Sequence, residues 1–225
     1  MIKFYKLNIY SFLLSFVFCT SLFAASATPT SYKPTVTKVE LCTSSSCSDP
    51  VVLGTTTKEF DIASASVGAD VGTYLSDFTI TLGKTYTHMR STISSTFKVT
   101  GTVTVGSATC NTVASPSVAS TATLTAKNAK SGTLAEMDWI IPDVNGGGDY
   151  SNLTSSFASS GTSKVDGAST FTFTIALAVP YTPKSTDTPK IRMSFDVADT
   201  LVATESGGTC VMYLNSPIQS VTISR

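Results

Sequence analysis

The chain has 225 residues, 15 Lys and Arg against 15 Asp and Glu, a single histidine, and 42% hydrophobic side chains. A neutral balance at 13% charge excludes the basic footprint of a nucleic-acid binder, and one histidine leaves no histidine-based zinc set or ordinary nucleophile–base relay. Polarity comes instead from about 70 Ser and Thr residues, and the Val, Ile and Phe content is sufficient to bury a core, which excludes a disordered chain.

Lys3 and Lys6 precede an apolar run over 9–23 and then Ala25-Ser26-Ala27, the order of a secretory signal peptide cut after Ala27. The run is shorter than the roughly 18 to 20 residues of a membrane helix, and no later segment qualifies, so no transmembrane helix is expected. Cys19 follows Phe18, where a lipid-attachment site takes Gly, Ala or Ser, so Cys19 is expected to leave with the leader. Residues 28–225 are read as one domain, because about 200 residues fit a single all-β core.

Four cysteines remain in that domain, and an even count in an exported chain favours disulfides. Cys42 with Cys47 closes a Ser-rich turn. Cys110 with Cys210 closes a loop of about 100 residues, worth about 4.7 kcal/mol on the chain-entropy estimate.

Residues 28–35, with Pro29 and Pro34, read as an extended, loosely held lead. Strand character starts near Val36, is interrupted by the Cys42 to Cys47 turn, and resumes at Val51, as in a stapled hairpin or edge. A short strand over 57–62 and a connecting loop over 63–72 follow. Residues 78–82 alternate, and Gly83-Lys84 then predicts a hairpin into 86–93. Phe97, Val99, Val103 and Val105 line one face, with Gly101 between them marking a bend. Residues 118–126 and 134–141 are further strand candidates, the second also compatible with a short helix; 142–160 reads as a surface loop.

The strongest signal is 171–179, where Phe171, Phe173, Ile175, Leu177 and Val179 alternate with Thr and Ala. Ile191, Met193, Phe195 and Val197 alternate next. A turn at 205–208 precedes Cys210, Met212 and Leu214 on one face, and 218–224 is the last strand. The expected fold is therefore an all-β, antiparallel, disulfide-stapled sandwich of about ten to twelve short strands.

His88 sits mid-strand with Tyr86 and Arg90 and reads as a half-exposed strand residue without a nucleophile elbow nearby, so an enzyme is not expected. Asp143, Asn145 and Asp149 place oxygen ligands around three glycines and form a candidate calcium site, although the terminal acid of a helix–loop–helix calcium loop is missing and such residues also make plain turns. No other cofactor is expected. Trp139, Tyr74, Tyr150 and Tyr181 are the aromatic platforms available to a glycan, with Trp139 in an apolar context that suits a core.

Residues 39–50 (Val-Glu-Leu-Cys-Thr-Ser-Ser-Ser-Cys-Ser-Asp-Pro), with Phe60-Asp-Ile-Ala and Tyr86-Thr-His-Met-Arg, resemble a group of uncharacterised exported bacterial proteins of β-sandwich type. The resemblance covers about half of the mature chain and implies export. The Ser/Thr-rich strands are also similar in composition to pilins and adhesins. The sequence thus supports a non-enzymatic secreted or cell-surface structural or adhesive protein, extracellular or periplasmic, with itself or cell-surface glycans as partners. A carbohydrate- or calcium-dependent binding module is the second reading, and a small outer-membrane barrel the third.

Overall fold

The computed structural model describes residues 24–64, 79–114, 116–117, 126–129, 132–144 and 153–224. The strands are β1 (Ala24–Ala27), β2 (Ser31–Lys33), β3 (Thr35–Cys42), β4 (Val51–Gly54), β5 (Lys58–Glu59) and β6 (Tyr86–Ser94). Then come β7 (Thr96–Thr100), β8 (Thr102–Val105), β9 (Ala108–Asn111), β10 (Pro116–Ser117), β11 (Ala126–Ala129) and β12 (Met137–Ile140). A short helix α1 (Leu153–Ser159) precedes β13 (Thr162–Lys164), β14 (Thr170–Tyr181), β15 (Lys190–Asp196), β16 (Leu201–Ser206), β17 (Thr209–Leu214) and β18 (Ile218–Ser224).

The fold is all-β, as expected, with more strands than the alternation suggested: sixteen have three residues or more. The excess arises where single residues break a long run. Gly101 divides β7 from β8 because a Cβ there would lie 2.6 Å from the Leu201 side chain and 3.2 Å from the Pro29 Cα.

The main sheets run β13-β14-β6-β3-β4, β10-β12-β7-β2 and β1-β16-β17-β11, with two-stranded ribbons β15-β18 and β8-β9. Pairing is antiparallel except between β10 and β12. One core gathers Tyr32, Phe97, Val99, Met137, Trp139, Phe171, Leu201 and Met212; a second gathers Leu41, Leu53, Tyr86, Met89, Leu177 and Val221. Phe60 packs against both. None of these sheets closes on itself and their apolar faces turn inward, which corrects the barrel reading: a membrane barrel needs a closed sheet with its apolar face outward.

Both disulfides form as paired above, with Cα separations of 4.9 Å for Cys42–Cys47 and 5.7 Å for Cys110–Cys210. The first ties the β3–β4 turn and the second ties β9 to β17. Two disulfides mark an oxidising, exported environment. No helix among the described residues is long and apolar enough to cross a membrane.

The lead segment is not loosely held. Ser31–Lys33 pairs with β7, and Tyr32 is buried with its ring 5.8 Å from Phe97, edge to face. A three-residue strand between two prolines shows no periodicity, which hid it; the prolines flank the strand, where no donor is missed. Ala24–Ala27, at the end of the expected leader, forms β1 on β16, with Ala25 and Ala27 against the first core. Cutting after Ala27 removes that partner from Leu201.

The expected 78–93 hairpin does not form: residues 79–81 are irregular, and both sides of β6 are taken by β3 and β14. Phe78 lies outside the described residues, as do 65–72 of the expected loop and 118–125 of an expected strand. The 57–62 strand shrinks to β5, the 134–141 segment is strand rather than helix, and the 142–160 loop contains α1. Along β14 the alternation holds from Phe171 to Leu177, then the register shifts after Ala176 and Val179 is 72% exposed while Tyr181 is buried.

Candidate functional site

The β3–β6–β14 register builds a hollow. Ile93 lies between Val36 and Phe171, and Ser91 between Val39 and Phe173, so the smallest side chain of the row stands among large ones. Facing it, β7 and β12 pair Phe97 with Trp139, their rings 6.0 Å apart, and Phe97 also lies 5.9 Å from Phe171. These separations fall in the range of favourable aromatic pairs.

The result is a cavity of about 390 Å³. Its wall is Tyr32, Pro34, Val36, Phe60, Ile62, Ser91, Ile93, Phe97, Trp139, Ile141, Phe171 and Phe173, with Met193 and Phe195 from β15 and Leu214 from β17. Pro142, Phe157, Ser160, Thr162, Asn215, Ser216, Pro217 and Gln219 complete it. Asn215 and Ser216 are exposed, so they mark where the cavity meets solvent.

The α1–β13 side of this cavity is set by Gly161, which takes φ +74 and donates its N–H to the Ala158 carbonyl, closing the helix in a left-handed cap. A Cβ at Gly161 would collide with the Thr174 carbonyl oxygen at 2.2 Å.

Magnitude separates this cavity from a packing defect. An apolar void of about 150 Å³ already stays dry and takes benzene, and ligand sites span about 300–1,000 Å³. At 390 Å³ the space falls within the ligand-site range and above the size of such a void. Burial pushes the Tyr32 phenol above its ordinary pKa, so the one titratable side chain on the wall among the described residues stays neutral.

No protein-family model matches the chain, and no curated protein or solved structure matches it significantly.

The sites expected from sequence lie elsewhere. Asp143 is paired with Lys164; that ion pair, then the backbone N–H of Gly167, hold its carboxyl below the usual range. Asn145 and Asp149 lie outside the described residues, and the described residues contain no group of three or more metal-ligating side chains. Trp139 and Tyr181 are buried and present no stacking face to a glycan, while Tyr74 and Tyr150 lie outside the described residues. His88 is half-buried on β6, its Nδ1 2.8 Å from the Thr87 hydroxyl.

Sequence reasoning did not single out Glu40. It is buried on β3, opposite Arg90, with Arg90 Nε donating at 2.8 Å and Lys38 Nζ lying 3.0 Å away. Burial pushes its pKa up, but the hydrogen bonds from Arg90 and Lys38 outweigh that and hold it below the ordinary value. The charge pattern Lys38-x-Glu40 with Arg90 in another strand carries no local signal, since only the register joins them.

Proposed function

We propose that the protein is an exported, non-enzymatic binding protein of the periplasm or cell surface that holds an apolar small molecule in the cavity between its sheets. The cavity carries this reading: it is aromatic-lined, it reaches solvent at Asn215 and Ser216, and its size falls within the range of ligand sites. Binding rather than catalysis is favoured because the wall brings no base to its hydroxyls; His88, the single histidine, is not part of it.

The chain has one tryptophan, Trp139, and it stands on the cavity wall, so its emission reports occupancy. Titration with the apolar dye N-phenyl-1-naphthylamine should saturate at one dye per chain, with Trp139 emission falling in step. Dye uptake that never saturates, or that leaves the tryptophan emission unchanged, would reject the reading.

A structural or adhesive surface role is the second reading, and the exposure of Val179 and Ile218, 72% and 74%, is the observation that favours it. Sedimentation of wild type against Val179→Lys tests it, since self-association through that surface should fall in the variant.

A further inference from the structure

We infer that the cavity selects an uncharged, mainly apolar molecule with one neutral hydrogen-bonding head, a fatty alcohol or ester, over a fatty acid or an alkylamine; this rests on the reading of the cavity as a ligand site. Among the described residues, no acid, lysine, arginine or histidine lines it. Several of the charges beside the wall in sequence are engaged elsewhere: Lys33 pairs with Glu136 and Arg90 with Glu40. Asp61, next to Phe60, accepts the backbone N–H groups of Tyr32 and Ala63, both at 3.1 Å. Asp143, next to Pro142, is neutralised by Lys164.

A carboxylate or ammonium entering the cavity would therefore lose its hydration with no opposite charge to replace it, which a neutral hydroxyl or ester avoids. The wall still offers hydrogen bonds from Asn215, Ser216 and Gln219 in one segment, whereas Ser160 is already bonded to the Phe157 carbonyl and the Thr162 hydroxyl. Asn215 at the mouth has both a donor and an acceptor on its amide; an alcohol head can use both and an ester head the donor, without any change of protonation.

The test is displacement of N-phenyl-1-naphthylamine by 1-decanol, decanoate and decylamine at pH 7, three ligands of one chain length and three charges. Decanol should displace the dye at a concentration at least tenfold below either ion. Decanoate or decylamine matching decanol, or decanol failing against a dye that does bind, would overturn the inference while leaving the ligand site standing. A dye that never binds overturns the site and the inference with it. Asn215→Leu should weaken decanol relative to the dye at least threefold; an unchanged ratio of the two affinities would overturn the role given to the head group.

Discussion

Replacing Ser91 by leucine distinguishes a hollow from a filled core by the sign of the stability change. Ser91 is 3% exposed, lies between Val39 and Phe173, and its hydroxyl meets no hydrogen-bond partner among the described residues. Nothing polar is therefore orphaned by the change. Leucine adds roughly three apolar groups at about 0.8 kcal/mol each, an upper limit near 2.4 kcal/mol. Fixing the new side chain takes back about 0.5–1 kcal/mol, leaving a gain of about 1.5 kcal/mol. In a close-packed core the same substitution would lose about 1–3 kcal/mol through overpacking. For a chain of this size each kcal/mol moves the melting point by about 2–4 °C. Thermal unfolding followed by circular dichroism should thus show Ser91→Leu melting several degrees above wild type, and the variant should exclude the dye. A melting point several degrees lower would mean the space is already filled, and the reasoning from cavity volume would fail.

Changing Cys110 and Cys210 together to serine should cost about 4.7 kcal/mol in urea unfolding, against about 2 kcal/mol for the Cys42 and Cys47 pair, because the closed loops differ in length; equal losses would contradict the ranking. Tyr32→Ala should destabilise by about 3–5 kcal/mol if the lead segment belongs to the core, and a loss below about 1 kcal/mol would return it to a loose lead. Glu40 has a folded pKa held below its ordinary value of 4.5, so its contribution is present above that value and disappears as pH falls through the lowered one. The urea midpoint should accordingly drop in acid, and Glu40→Gln should be less stable than wild type at pH 7 with a smaller further drop on acidification; an unchanged acid dependence would assign it to other carboxylates.

Much of the sheet framework can be read in the residues. The β16–β17 turn is announced by Gly207-Gly208, which take φ of 59 and 85 as a two-residue hairpin loop of this hand requires, and of the three pairings that four cysteines allow, the one that closes the short Ser-rich turn is observed. The alternation of β14 predicts its buried face as far as Leu177. Three features resist such reading for physical reasons. Tyr32 is a single apolar residue in a three-residue strand, too short to show a period. The residues 78–93 alternate as a hairpin would, yet which strand occupies the side of β6 is decided by long-range pairing with β3 and β14. The cavity is least legible of all, because Phe97, Trp139 and Phe171 carry the same apolar signature whether they touch a neighbouring side chain or line a hollow. Only the register that sets Ser91 beside Phe173 distinguishes the two.

Methyl-resolved NMR of the oxidised protein, titrated with 1-decanol and separately with N-phenyl-1-naphthylamine, shows whether the space between the sheets takes a ligand. The methyl groups of Ile62, Ile93, Ile141, Met193 and Leu214 line the cavity, whereas those of Leu41, Leu53 and Val221 belong to the second core. Saturable shifts and ligand contacts in the first set, with the second set unmoved, are the predicted result. No shift with either 1-decanol or N-phenyl-1-naphthylamine at saturation, or shifts centred on Leu41, Leu53 and Val221, would contradict it.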